Sequence, residues 1–381
     1  MPRLTRCASL TAARFSFPNR IITEMNTDII ETLRAQIQGQ KKVYVQGGGS
    51  KTALACADGD VGQISTARLS GMLEYEPDEF TFTALAGTPV SEVEHILAEQ
   101  NQYLPFDPVL VDSGATLGGT LAAGLSGAGR YRYGGVRDFI LGVEFLDGMG
   151  ELVRSGGKVV KNAAGFDLPK FMVGSLGCFG ALVKLSFKVL PRPESTATLS
   201  THYISLVNGL ETLVRLNRQP LELYALELDR EAHLLVRVGG GAETIPARLE
   251  RLKLLLGGVE VETLEGEAEA ELWRGQREFN WLPEGYGLVK VPLTPKRVAA
   301  LDSELGKNGA KAVYGAGANQ AWIGWPGETA DLDALLSQQG LSGLRILGYP
   351  EKALLGVRAG ESFEQRIKQA LDPANRYVCA G

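Results

Sequence analysis

Four cysteines and three histidines are all that this 381-residue chain offers toward thiolate or imidazole chemistry. Cys7, Cys56, Cys178 and Cys379 form no C-x-x-C pair, so neither a zinc knuckle nor an iron–sulfur cluster is built from this chain alone. Their spacing reads as free thiols in a reducing compartment. His95, His202 and His233 fall in separate elements, and each reads as a surface or satisfied histidine rather than a base or ligand; no metal site is expected. No apolar run approaches the roughly 18 residues that a membrane helix needs. Long basic runs are missing as well, and with a net charge of −5 this argues against a nucleic-acid surface. Apolar residues are present in ordinary amount. At 44% they support a packed core, and the length suggests two or three domains at roughly 150 residues each.

Residues 1–24 carry Arg3, Arg6, Arg14 and Arg20 with no acid before Glu24, and lack the apolar centre of a secretory signal. They read as an organelle-type targeting peptide or, in the preferred reading, as a disordered extension with the folded chain beginning near Met25.

Glycine is what the chain concentrates. "VYVQGGGSK", residues 43–51, follows a short strand with three glycines, more than a turn requires. It fits neither the P-loop nor the G-x-G-x-x-G fingerprint, so alone it reads equally as a tight turn or a ligand loop. A second cluster, "DSGATLGGTLAAGLSGAGRYRYGG", begins at Asp112 and has few side chains large enough to fill a core, so a backbone or a flat ligand passes close by. It leads into a hairpin, LGVEFL and ELVRS joined by DGMG. In the third, "GFDLPKFMVGSLGCFGALVKLSFKVLP", Gly174, Gly177 and Gly180 precede an alternating strand. Between the first two clusters, FTFTA alternates as a strand, and Thr88 is expected to cap a helix that carries Val90, Val93, Ile96 and Leu97 on one face.

The ordered set QGGGSK, TLGGTLAAG and GFDLPKFMVGSLGCFGALVKLSFKVLP resembles the FAD-binding (PCMH-type) domain of the vanillyl-alcohol oxidase group. Within that group it is most similar to the FAD-binding subunits of bacterial glycolate oxidases (glycolate dehydrogenases). The likeness is good over roughly residues 40–192 and weaker beyond, where ELWRGQREFNWLP and IKQALDPANRY still match. It implies an α+β chain with an FAD-binding domain over 25–192, an α+β cap over 193–350 and a tail, 351–381, returning to the first domain. It also implies that Gln46, Gly47, Gly48, Gly49 and Ser50 wrap the pyrophosphate. Thr116, Gly118, Gly119, Ala123 and Gly124 would run beside the dinucleotide, and Gly174, Ser175, Gly177, Gly180 and Val183 would pack a second loop against it. No histidine stands in the first loop to attach the flavin, so FAD is expected to be dissociable.

Two departures bear on chemistry. Relatives often read G-S-E-G-T where this chain has Gly174-Ser175-Leu176-Gly177-Cys178, and Cys178 reads as small buried packing. Competent 2-hydroxy-acid dehydrogenases of this fold carry clustered cap histidines, which this chain lacks, so no catalytic base is assigned. For a substrate carboxylate, Arg277, one helical turn from Trp273, and Arg130, Arg132 and Arg137 are the candidates, with a surface ion pair as the alternative for Arg277 and neutralisation of the FAD phosphates for the other three.

From residue 196 the elements follow a strand–helix–strand–strand–helix–strand order twice. This predicts two ferredoxin-like halves sharing one antiparallel sheet with helices on its outer side. The resemblance implies an FAD-dependent glycolate oxidoreductase subunit, partnered by a paralogous catalytic flavoprotein and an iron–sulfur subunit that passes electrons toward quinone. It places the chain in the cytoplasm, with peripheral contact at the inner membrane through that complex, and inactive on its own. A non-catalytic assembly subunit and a free-standing D-lactate-type dehydrogenase are the alternatives.

Overall fold

A computed structural model describes residues 19–56, 59–157 and 167–379, with side chains from residue 27 onward. Residues 1–18 of the arginine-rich segment and 161–166 at the head of the third glycine cluster lie outside the described residues. Helix α1 (Asn19–Gly39) is already under way at Met25. It buries Leu33 and Ile37 against Val43 and Ile64 of a two-stranded parallel sheet, β1 (Val43–Gln46) with β2 (Gly62–Ser65). Apolar side chains at every second position of V-Y-V-Q suit such a half-buried strand. The Val43 amide donates to the Arg376 carbonyl and the Val378 amide to the Val43 carbonyl, both at 2.8 Å, so the C-terminal residues line the free edge of β1.

The next elements in the chain are β3 (Met72–Glu76), β4 (Thr81–Leu85), α2 (Val90–Ala98), β5 (Gln102–Tyr103), α3 (Leu117–Ala123) and α4 (Arg130–Tyr133). They are followed by β6 (Ile140–Leu146), β7 (Leu152–Gly156), α5 (Leu168–Phe171), β8 (Ala181–Lys188) and β9 (Leu190–Pro191). An antiparallel sheet runs β3-β4-β8-β6-β7, and β5 pairs with β9. The β6–β7 turn is closed by Asp147, whose side chain accepts from the Met149 and Glu151 amides. Thr88 does not cap α2. Its hydroxyl donates to the Leu85 carbonyl at 2.7 Å and accepts from the Gly71 amide, tying down the loop before the helix.

Beyond residue 194 the chain builds a nine-stranded antiparallel sheet. The first half comprises β10 (Ser195–His202), α6 (Leu206–Asn217), β11 (Ala225–Asp229), β12 (His233–Gly240), α7 (Ile245–Leu256) and β13 (Val261–Glu265). Helix α8 (Gly266–Glu278) leads to the second half: β14 (Gly287–Pro292), α9 (Pro295–Lys307), β15 (Lys311–Gly315), β16 (Gln320–Trp325), α10 (Thr329–Gln338) and β17 (Ser342–Leu347). β18 (Leu354–Gly356) adds an edge, and α11 (Glu361–Leu371) returns toward β1. The order β13-β10-β12-β11-β15-β16-β14-β17-β18 joins two split β-α-β-β-α-β units back to back through β11 and β15.

Period-two alternation assigns the two faces of this sheet. Leu199, Leu226, Leu228 and Ile323 point to the side covered by α6, α7, α9 and α10. Thr198, Arg237 and Trp322 point the other way. There Thr198 accepts from the Trp273 indole of α8 at 2.8 Å, and Arg237 pairs with the buried Glu269 of the same helix. Farther along this inner face, Trp322, Leu288 and Ile346 pack on Val109, Leu110, Ala123 and Leu125, forming an apolar seam between cap and first domain.

Candidate functional site

The three glycine clusters, remote in sequence, meet around one groove. Its walls include Gln46, Gly47, Gly48, Gly49 and Ser50 from the first cluster, Thr116, Gly118, Gly119 and Ala123 from the second, and Gly177 and Gly180 from the third. Thr116 is the N-cap of α3, and its hydroxyl accepts from the Gly119 amide at 3.2 Å.

The glycines are needed for more than ligand room. A Cβ on Gly47 would stand 2.5 Å from the Thr116 hydroxyl, and one on Gly48 only 2.0 Å from the Gly114 carbonyl oxygen. The first two clusters are therefore in backbone contact. Gly124 ends α3 at φ 63°, and a Cβ there would press on the Gly174 backbone at 3.1 Å, joining the second cluster to the third. The Gly174 amide donates to the Leu121 carbonyl and the Leu176 amide to the Ala122 carbonyl, which locks that junction.

This groove fits an anionic dinucleotide. Among the described residues the amides of Gly47, Gly48, Gly49 and Ser50 have no protein acceptor, so four consecutive donors are free to face a diphosphate. Lys51 borders them, buried, with its ammonium donating to the Ser50 hydroxyl at 3.2 Å. Burial pushes the Lys51 amine down to about 8, opposed by Glu278; a neighbouring phosphate charge would offset that cost. Gly124, Gly174 and Ser175 are not among the groove's walls; among the described residues the buried Ser175 and Thr120 hydroxyls have no hydrogen-bond partner. Small or flat-walled positions, Ala122, Ala123, Gly177 and Leu182, leave a slot for a planar ring.

Several candidates are placed elsewhere. Val183 turns into the core with Val43 and Ile64 while its neighbour Leu182 faces the groove, because side chains alternate along β8. Arg132 lies over the Tyr133 and Tyr224 rings at 5.5 and 5.1 Å and pairs with Glu222. Arg137 is exposed on the turn before β6. Arg277 donates to Glu94 at 3.0 Å, joining α8 to α2 outside the groove. Arg130 reaches across to the cap as well, where it donates to the Gln320 side chain at 3.3 Å.

Two readings of the scarce residues change. His202 and His233 are directly opposed in the β10–β12 ladder, with ring centroids 4.6 Å apart. Their partners are the Glu231 carbonyl and Asp229 at the exposed end of the sheet, away from the groove. Cys178 and Cys379 are not free thiols but form a disulfide, with Cα atoms 4.5 Å apart. The tail after α11 runs past β1 and β8 and brings the two residues together, a proximity that no spacing rule reveals.

Sequence reasoning also passed over Lys51, although it directly follows the loop, and Lys290, whose only signal is one charge inside the strand GLVKVP. Lys290 of β14 donates to the Gly124 carbonyl at 3.2 Å. Glu227 on the inner face of β11 is a further buried charge. Desolvation, with Asp107 nearby, raises its carboxyl to about 8 and so favours the protonated form.

A glycine-lined dinucleotide groove under an antiparallel α+β cap defines the class: an FAD-dependent oxidoreductase with the PCMH-type fold. Residues 21–156 match the FAD binding domain family. The chain is 36% identical to glycolate oxidase subunit GlcE of Escherichia coli (strain K12), over 69% of this chain and 73% of that protein. It belongs to that family of glycolate oxidase subunits. It is also 26% identical to glycolate oxidase subunit GlcD of Bacillus subtilis (strain 168), over 70% of this chain and 62% of that one. A D-lactate dehydrogenase of Anaerostipes hadrus is 25% identical, with 54% of its length matched. Among solved structures, alkyldihydroxyacetonephosphate synthase superposes with a TM-score of 0.68 at 16% identity, covering 92% of this chain and 73% of that one, and so shares the fold. Among the described residues no helix is long and apolar enough to cross a membrane.

Proposed function

We propose that this chain is the FAD-carrying subunit of a multi-subunit complex that oxidises glycolate to glyoxylate. Its bound flavin would pass electrons on to an iron–sulfur partner and quinone, and a paralogous flavoprotein would hold the main substrate site. The observation that carries this reading is the convergence of three glycine clusters on a groove with four free backbone donors. Gln46–Ser50 and Lys51 would hold the diphosphate, with Thr116 and Gly119 fixing the start of α3 beside it. Ala122, Ala123, Gly177 and Leu182 would flank the flavin ring, which when bound supplies a two-electron acceptor. Gly47 and Gly48 also keep the first loop pressed on Thr116 and Gly114. Oxidising a 2-hydroxy acid also needs a group to take the hydroxyl proton, typically contributing about 10²- to 10⁴-fold. The described histidines lie outside the groove, which is why the partner flavoprotein is assigned the main chemistry. Membrane contact, in this reading, is peripheral and made through the complex.

The test is anaerobic mixing of the purified FAD-loaded chain with glycolate. Flavin absorbance should stay constant for minutes with the chain alone and bleach within seconds once the partner flavoprotein and iron–sulfur subunit are added. Rapid bleaching by the chain alone would put the main substrate site here and refute the division of labour.

A further inference from the structure

Helix α3 connects the two ends of the groove. Its N-terminus, at Thr116, touches Gly47 of the diphosphate loop. Its C-terminal cap is Gly124, about 12 Å further along at 1.5 Å per residue. There the Gly124 carbonyl receives the Lys290 ammonium from the cap. Arg130 reaches the same seam from the first domain and donates to Gln320 on β16, the strand paired with β14. The two cations sense each other: burial and, after it, the Arg130 charge together push Lys290 down to about 8, while burial lowers Arg130 against the opposing charge of Asp138.

Among the described residues neither cation has a carboxylate within ion-pair distance; their acceptors are a carbonyl and a carboxamide oxygen, both neutral. Asp138 lies near enough to favour the Arg130 charge without pairing with it, and two half-buried like charges whose direct acceptors are neutral gain from an anion that completes the cluster. A lysine serving only as the C-cap of α3 would explain one cation, not a second beside it. Both side chains are half-buried rather than sealed in the core. Their surroundings, Trp322 opposite Lys290 in the ladder with Leu288 and Leu125 in the same seam, are apolar and crowded. That suits a small anion. An ammonium beside a guanidinium fork matches a carboxylate.

We propose that Lys290 and Arg130 form an anion subsite at the cap-facing end of the groove that takes the carboxylate of a small 2-hydroxy acid. The proposal rests on the groove being the FAD site.

The experiment titrates the FAD-loaded full-length chain with oxalate, a small acid that cannot be oxidised by hydride transfer, following flavin absorbance and, separately, the flavin midpoint potential. A saturable spectral shift is expected. Lys290→Gln and Arg130→Gln should each weaken it at least tenfold with FAD content and midpoint potential unchanged, and Lys290→Arg should retain it. Should Lys290→Gln fold poorly, Arg130→Gln gives the same reading. A loaded chain whose spectrum ignores oxalate, or variants that bind oxalate as the parent does while their midpoint potential falls, would overturn the subsite; the latter would assign the cations to the flavin's own charge. A chain that cannot be loaded with FAD at all would overturn the groove assignment and the subsite with it.

Discussion

Gly48 shows how one missing Cβ serves two purposes. Its amide belongs to the free donor row, and its Cα lies where any side chain would collide with the Gly114 carbonyl at 2.0 Å. That neighbour is backbone and cannot swing away. Gly49 differs: at φ 72° a Cβ would meet only the tip of the flexible Gln46 side chain, at 2.8 Å. Gly48→Ala should therefore lower FAD affinity at least tenfold and also destabilise the apo-protein by about 2 kcal/mol, since the two clusters must part. Gly49→Ala should lose about 1 kcal/mol, the left-handed backbone cost, with most of the affinity kept. Flavin-fluorescence titration and urea unfolding of both variants measure this, and equal behaviour of the two would contradict the backbone contact. The three glycines were legible as a demand for close approach. What approaches was only half legible, because Gly114 is far away in sequence.

Helix α8 does the joining work at the level of elements. On one side Glu269, 2% exposed, accepts from Arg237 at 2.7 Å and from the Thr196 and Thr198 hydroxyls, so its charge is fully paired under the cap sheet. On the other, Arg277 pairs with Glu94 of α2, and the Arg277 carbonyl accepts from the Leu110 amide. Arg277 thus bonds cap to first domain, and its charge is taken up by a carboxylate before any substrate arrives. Arg277→Met should lower stability by about 2 kcal/mol, the scale of a charge-assisted bond, and leave oxalate binding by the flavin-loaded chain untouched. A loss of oxalate binding without loss of stability would restore Arg277 as the substrate anchor. The helix itself was readable from its spacing. Its partners were not, since W-x-x-x-R says which face is shared and nothing about what lies across from it.

In the whole molecule the chain closes on itself. After the cap, α11 and the tail return to β1, where Lys368 donates to the Cys178 and Tyr377 carbonyls and to Asp372, and Cys379 joins Cys178. The bond encloses a sequence separation of 201 residues that contains the entire cap. Cross-linking so long a loop removes entropy from the unfolded chain, by about 5 kcal/mol in the chain-entropy account and commonly less when measured. Oxidised protein should accordingly unfold at higher urea than reduced protein, with a difference of about 2–4 kcal/mol. Cys178→Ser, Cys379→Ser and the double variant should all match the reduced form, because each removes the same bond. Thiol titration under denaturing conditions should find two reactive cysteines before reduction and four after. Four before reduction, with no effect of reductant on unfolding, would return Cys178 to simple packing.

The sequence by itself determined what local patterns can encode: strands and helices in order, the doubled β-α-β-β-α-β motif, glycines where backbone must pass close, and the family. Each follows from periodicity or from a residue type whose conformational freedom is diagnostic. Only the tertiary structure decided which distant charges meet. It set Lys290 beside Arg130, spent Arg277 on Glu94, opposed His202 to His233 and joined Cys178 to Cys379. Such encounters depend on how domains dock across a seam, and a charge carries no local periodicity that records its partner.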